Sequence, residues 1–161
     1  MLEQPMPRGT LVAEVYTTAG QTSVTIDGLD AYRDKCYEIV IVGSVTGGSS
    51  WIKLSTNISY GLQYNTVLAP NYITRGASGM HLGALGEYGR CIHATLACTV
   101  NNNGWADAQY VIEGQYCYYN QNTHEVGFQH GMHPGGNVKS ITISTEQYAF
   151  TLNTRIAVYK K

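Results

Sequence analysis

The chain has 161 residues, which suits one domain with a sizeable hydrophobic core. Only 13% of the residues are charged and the formal net charge is −1, so the sequence does not indicate electrostatic binding of nucleic acid or of an acidic membrane surface. No apolar run reaches the length of a membrane span and no signal-peptide core follows Met1. We therefore expect a protein that folds in a cytoplasm without inserting into a membrane.

The surface composition predicts self-association. The chain contains 18 glycines and 13 tyrosines, which with frequent Asn, Ser and Thr indicate short strands and tight turns. A weakly charged, tyrosine-rich surface gives a free monomer little protection against association. Such a surface makes more sense when copies of the chain cover one another, so we predict a homo-oligomer.

Residues 1–9 cannot form a helix or a central strand, because they contain two prolines and a glycine. One interpretation is a frayed terminus, and the other is an extended arm that grips a neighbouring subunit or a larger particle. In the second interpretation apolar side chains fill pockets on the neighbour, and the prolines keep the arm extended. The residues of this predicted attachment arm are Leu2, Pro5, Met6 and Pro7. Residues 10–161 are predicted to form a single β domain.

The first half of the domain alternates between apolar and polar residues. We predict strands at residues 10–17, 22–26, 36–42 and 51–54. The segment between the second and third strands has the character of a turn or a one-turn helix, which Asp27 or Asp30 would cap. The third strand is apolar on both faces apart from Glu38, which is typical of a central strand.

The second half continues the pattern. We predict strands near residues 62–68, 80–85, 90–100, 107–119 and 124–130, followed by a glycine-rich loop at 131–137. Residues 138–144 and 152–159 are then predicted to form a final hairpin, whose second arm places Leu152, Thr154, Ile156 and Val158 on one buried face. We expect nine or ten strands from these eleven segments and no long helix, which predicts an all-β, mostly antiparallel sandwich or barrel.

Four short motifs carry a resemblance to a known group of proteins. They are Gly-Leu-Asp at 28–30, Tyr-Glu-Ile-Val-Ile at 37–41, Ile-Thr-Ile at 141–143 and Arg-Ile-Ala-Val-Tyr at 155–159. In this order they resemble small bacteriophage virion proteins, whose ending commonly reads Arg-Ile-X-Leu-Tyr-Gly. Here Val158 takes the place of the leucine and Lys160 that of the glycine. The resemblance implies a jelly-roll-like β-sandwich, a trimer, and a structural or adsorption role on the particle, and it carries over no catalytic residues.

The four cysteines lack the spacing of a zinc site or a C-x-x-C motif. All of them fall on predicted strands, which favours buried, reduced thiols. Cys91 and Cys98 are an odd number of residues apart and should therefore face opposite sides of one strand. A disulfide that forms after release into an oxidising medium, for instance between Cys117 and a neighbouring strand, is the alternative.

The histidines give only a weak metal signal. His130 and His133 lie in the predicted glycine-rich loop and are the candidate ligands, but a zinc site needs three or four. A Cys–His pair at Cys91 and His93 would point both side chains the same way on one strand rather than toward a shared substrate. We therefore predict no metal, no cofactor and no enzymatic activity, since no catalytic constellation is found in the sequence.

Aromatic and amide side chains around the longest predicted strand suit sugar rings or a protein interface. The tyrosines at 110, 116 and 118 are in phase on one strand face and are assigned to the core. The candidate glycan or interface surface consists of Asn102, Asn103, Trp105, Tyr119, Asn120 and Asn122.

Two functions follow. The first is a structural protein of a phage virion, such as a head decoration or a head or tail fibre subunit, that is assembled in the host cytoplasm and attached to capsid or tail components through its arm. The second is a receptor head for host adsorption that binds surface glycans. The absence of a predicted stalk before Thr10 favours the first.

Overall fold

The computed structural model describes residues 9–58, 64–67, 72–75, 79–99, 108–120 and 123–161. Side chains are described for residues 9–58, 79–89, 91–98, 111–117 and 136–161. This part of the chain contains twelve strands and one short helix. In chain order they are β1 Thr10–Tyr16, β2 Ser23–Asp27, α1 Ala31–Asp34, β3 Cys36–Gly43, β4 Ser49–Thr56, β5 Tyr64–Val67, β6 Tyr72–Arg75, β7 Met80–Gly86, β8 Arg90–Thr99, β9 Ala108–Asn120, β10 Thr123–Gly135, β11 Ser140–Thr145 and β12 Arg155–Lys160.

The strands form two antiparallel sheets packed against each other. One sheet has the order β1-β12-β3-β8-β9-β10-β5-β6, and the other has the order β2-β11-β4-β7. The quartets β1-β12-β3-β8 and β2-β11-β4-β7 are the two sheets of a jelly roll, in which the chain crosses repeatedly from one sheet to the other. The predicted all-β, jelly-roll-like sandwich is confirmed.

Four strands extend the first sheet beyond the jelly roll. β5 and β6 come from the connection between β4 and β7, and β9 and β10 come from the connection between β8 and β11. Ten strands are five residues or longer, which matches the predicted nine or ten, and β5 and β6 add two strands of four residues each. The predicted glycine-rich loop at 131–137 is wrong for its first part, because β10 pairs with β9 as far as Gly135.

The predicted C-terminal hairpin is also wrong. β11 lies in the four-stranded sheet and pairs with β2 and β4, whereas β12 lies between β1 and β3 in the other sheet. The second arm begins at Arg155, and Leu152 belongs to the preceding turn with 62% of its surface exposed. The alternation of residues predicted which face of each arm is buried but not which strand it pairs with. The partner strand depends on the crossing of the chain from one sheet to the other.

The short segment before β3 is a one-turn helix, as predicted. Asp30 is its N-cap and accepts a hydrogen bond from the backbone N–H of Arg33 at 3.2 Å. Asp34 in the helix accepts a hydrogen bond from the hydroxyl of Tyr37 at 2.6 Å. The hydrogen bonds from Arg33 and Tyr37 lower the pKa of Asp34 to about 2. The helix is thereby fixed to the start of the central strand.

The core fills the space between the two sheets. β3 and β12 are interior strands, as predicted, and Ile156 and Val158 are fully buried. The large, fully buried side chains are Tyr37, Phe150, Ile39, Ile41, Ile52, Leu54, Met80, Leu82, Leu85, Ile92 and Leu96. Tyr116 is in the core, as predicted for its strand face, and the other two tyrosines of that face, at 110 and 118, lie outside the described side chains.

Candidate functional site

The outer face of the four-stranded sheet carries polar side chains in register. On β4 the alternation buries Ile52 and Leu54 and turns Trp51 and Lys53 outward. The strand register places Ser23, Ser144, Lys53 and His81 in one row across β2, β11, β4 and β7. The next row contains Thr25 and Thr142, whose hydroxyl oxygens are 2.9 Å apart. The face is therefore rich in hydroxyls, with its charges at the β7 side.

Glu146, in the connection from β11 to β12, is the centre of the charged group. Its Oε1 lies 2.5 Å from Nζ of Lys53 and 2.9 Å from Nε2 of His81. Burial raises the pKa of Glu146, but the hydrogen bonds from His81 and Lys53 lower it more, so that it lies below the ordinary value of 4.5. The carboxylate is therefore held ionised beside the two basic groups at neutral pH.

A buried serine fixes the loop that carries Glu146. The hydroxyl of Ser50 accepts hydrogen bonds from the backbone N–H groups of Glu146 at 3.2 Å and Gln147 at 3.0 Å. The N–H of Glu146 also donates to the carbonyl of Trp51 at 3.1 Å. Because three hydrogen bonds tie the loop to β4, the carboxylate has a defined position on the sheet.

An aromatic stack borders this group. The rings of Trp51 and His81 are stacked with centroids 5.1 Å apart, and Tyr116 meets Trp51 edge-on at 5.8 Å. His81 thus bridges the tryptophan and the Glu146 carboxylate. The stack limits the motion of the imidazole that binds Glu146.

The loop and the sheet enclose a shallow cleft of about 520 Å³. Its lining residues are Lys53, Ser55, Ser144, Thr145, Glu146 and Gln147. The lining offers hydroxyl, amide, ammonium and carboxylate groups that can donate and accept hydrogen bonds. Such a site can bind a polyhydroxylated ligand.

The second feature is the edge of the eight-stranded sheet. In the described part of the chain β1 has one neighbour, β12, so its other edge is open. Leu11, Val12 and Tyr16 are 49%, 37% and 54% exposed. The strand contains no lysine or proline, and its one charged residue, Glu14, is paired with Nε of Arg155 at 2.5 Å. β1 therefore has no lysine or proline to keep it from pairing with another chain, although its register with β12 shifts between Leu11 and Ala13.

A third polar group lies on the outer face of the same sheet. Glu38 is only 5% exposed, and its Oε1 is hydrogen-bonded to Nε2 of His93. Its Oε2 is buried and has no hydrogen-bond partner among the described residues. No group of three or more histidine, cysteine or acidic side chains suited to a metal ion occurs in the described part of the chain.

The predicted site residues fall mostly outside this description. The arm residues Leu2, Pro5, Met6 and Pro7 lie outside the described residues, as do Asn102, Asn103, Trp105 and Asn122. Tyr119 and Asn120 lie at the end of β9, and His130 and His133 lie on β10, but their side chains are outside the described ones.

The cleft residues were not predicted from the sequence. The outward positions of Lys53 and Ser55 follow from the alternation of β4, which is visible in the sequence. Glu146 and Gln147 follow β11, and only the pairing of β11 with β4 brings them to the same place. That pairing has no local signal in the sequence.

In the described part of the chain no helix is both long enough and apolar enough to cross a membrane. Comparison of the chain with protein-family models, with curated proteins and with solved structures finds no match.

Proposed function

We propose that the protein is a structural subunit of a bacteriophage particle, a capsid decoration or fibre subunit that packs as a homo-oligomer. The open edge of β1 is the observation that carries the proposal. An extended strand with exposed apolar side chains and unpaired backbone groups suits pairing with a strand of another chain. The jelly-roll topology supports the same role, because capsid proteins are among its frequent users, and so does the sequence resemblance.

The occupant of the edge is a second copy of this chain. The low charge of the chain leaves little repulsion between copies, since the formal net charge is −1. The exposed rings of Tyr32, Tyr88 and Tyr148 add apolar surface elsewhere on the domain. A trimer follows by analogy with the phage group, and residues 1–9 attach it to capsid or tail components. The subunit requires no cofactor and carries out no catalysis.

Density-gradient purification of virions tests this proposal. Particles are collected from a lysate in which the chain carries an epitope tag at its C-terminus, and the tag is quantified against the major capsid protein. The proposal predicts a fixed, stoichiometric ratio of the tag to the capsid protein across the particle peak. If the protein remains with the soluble fraction, the virion role is wrong.

A glycan-binding adsorption head is the second candidate, and the cleft beside Glu146 favours it. Hydroxyl and amide groups of Ser144, Thr145 and Gln147 line the cleft together with Lys53, which is the chemistry that binds sugar hydroxyls. The Trp51 ring lies beside this group through its stack on His81. The two functions are compatible, because a particle subunit can also contact the host surface.

Binding to an array of bacterial surface glycans tests the second candidate. Gln147→Ala should reduce the signal of any bound glycan because it removes an amide from the cleft. Thr25→Ala is the control, since Thr25 lies on the same outer face but does not line the cleft. Equal signals from the wild type and both variants would show that glycans do not bind in the cleft.

A further inference from the structure

Cys91 and Cys117 lie opposite each other on neighbouring strands. The register of β8 and β9 pairs the two residues directly. Their neighbours Ile92 and Tyr116 are buried in the core, so both cysteine side chains are on the outer face of the eight-stranded sheet. Both are half-buried, rather than buried as expected from the sequence, and neither is part of a disulfide in this structure. Both side chains therefore lie on the same side of the sheet, away from the core.

The backbone places the pair at a distance that a disulfide can span. The N–H of Cys98 donates to the carbonyl of Lys35 at 2.6 Å, so the backbone groups of Cys98 face β3. Cys91 is an odd number of residues away on the same regular strand, and its backbone groups face β9. A hydrogen-bonded pair of this kind has Cα atoms about 5.5 Å apart. Disulfides join Cα atoms that are about 4.4 to 6.8 Å apart.

The other two cysteines are excluded as partners. Cys98 belongs to the core and faces the opposite side of β8 from Cys91. Cys36 is paired with Ala97, near the far end of β8, which puts it roughly 20 Å from Cys91 at the usual rise per strand residue. Burial also raises the pKa of the Cys36 thiol, which makes it a poorer nucleophile at neutral pH.

We propose that Cys91 and Cys117 form a disulfide when the protein passes from a reducing cytoplasm to an oxidising medium, and that this bond fastens β9 to the jelly roll. β8 is the last jelly-roll strand of its sheet and β9 is the first strand of the extension, so the bond joins the two parts. It closes a loop of about 25 residues, which restricts the unfolded chain. The bond depends on the two strands and an oxidant alone and does not require the particle role.

The exchange with a low-molecular-weight disulfide such as oxidised glutathione is balanced. The thiolate of one cysteine attacks a glutathione sulfur, which releases one glutathione and leaves a mixed disulfide. The thiolate of the second cysteine attacks the protein-bound sulfur of that mixed disulfide and releases the second glutathione. Two electrons pass from the protein to glutathione disulfide, and the two thiol protons end on the released glutathiones.

Peptide mapping after oxidation tests the proposal. The folded protein is incubated with oxidised glutathione, free thiols are alkylated, and the chain is cleaved after glutamate, which separates fragment 88–113 from fragment 114–125. The expected product is the two fragments joined by a disulfide, with the loss of two hydrogen atoms, from protein that migrates as a single chain on a non-reducing denaturing gel. Cys98→Ala in the same protein makes Cys91 the only cysteine of the first fragment.

Variants separate the pair from general thiol oxidation. Cys36→Ser should still form the bond and should gain melting temperature on oxidation, and reductant should reverse the gain. Cys117→Ser and Cys91→Ser should each take up one glutathione and show no such gain. Separate glutathione adducts on both cysteines of the wild type, bonds between chains, or no reaction would overturn the proposal.

Discussion

Gly114 lies where β9 meets β7, and replacing it with alanine tests how closely the extended sheet packs on the four-stranded sheet. A Cβ at Gly114 would be 2.1 Å from the carbonyl oxygen of Leu82, 2.9 Å from its carbonyl carbon and 3.1 Å from its Cα. These are backbone atoms, so no side-chain rotation can relieve the overlap. The strands would have to separate by roughly 1 Å, and overpacking of this kind costs about 1–3 kcal/mol. We expect a value near the upper end, about 3 kcal/mol, because backbone must move.

Urea denaturation monitored by circular dichroism measures this loss. Gly136→Ala is the matched control, because the nearest atom to its added Cβ is the hydroxyl of Tyr32 at 4.0 Å. Both substitutions lower the conformational entropy of the unfolded chain by the same amount, so this effect cancels when the two variants are compared with each other. The control should be as stable as the wild type or more stable by up to about 1 kcal/mol, because alanine restricts the unfolded chain. If Gly114→Ala is as stable as Gly136→Ala, β7 and β9 do not pack as closely as the structure shows.

Three further predictions concern the core, the pH dependence and the arm. Ile156→Asp should prevent folding, because it buries an unpaired charge at a cost of roughly 3 kcal/mol or more. Leu152→Asp is the control and should fold normally, because Leu152 is exposed. Circular dichroism and thermal melting distinguish the two variants. The folded-state pKa of Asp34 is about 2, below its ordinary value of 3.8. The contribution of the Asp34 carboxylate to stability is therefore present above pH 3.8 and disappears as the pH falls toward 2. Asp34→Asn should therefore melt below the wild type at pH 7 and approach it near pH 2, and a constant difference at all pH values would contradict the assignment. Deleting residues 1–8 should leave circular dichroism and melting unchanged and abolish incorporation into particles; full occupancy by the truncated protein would mean that the arm does not attach it.

Local alternation in the sequence predicted most of the strands and the buried character of the central ones. The apolar residues of β3 and β12 predicted their interior positions. The helix cap is Asp30, one of the two aspartates, Asp27 and Asp30, that the sequence offered for it. The partner of each strand was less accessible. β11 and β12 are neighbours in sequence and each has a clear buried face, yet they belong to different sheets.

The candidate site depends on the same nonlocal information. Lys53 and Glu146 are far apart in sequence, and only the β4–β11 pairing brings them within 2.5 Å. The cysteine pair is similar, since Cys91 and Cys117 lie on strands that the sequence identifies, but their register does not follow from either strand alone. Register depends on the loop length and on the core packing of both strands together.

Sedimentation velocity of the wild type and of two variants at Tyr16 tests most directly whether the edge of β1 joins copies of the chain. The N–H of Thr17 donates to the carbonyl of Thr154 at 3.0 Å, so the N–H of Tyr16, one residue earlier, points away from β12 toward the open edge. Tyr16→Pro removes that donor without breaking a bond to β12, whereas Tyr16→Ala retains it and removes only the ring. We predict an oligomer for the wild type and for Tyr16→Ala, and a folded monomer for Tyr16→Pro. A wild type that sediments as a monomer, or a Tyr16→Pro variant that sediments with the wild type, would contradict assembly through β1.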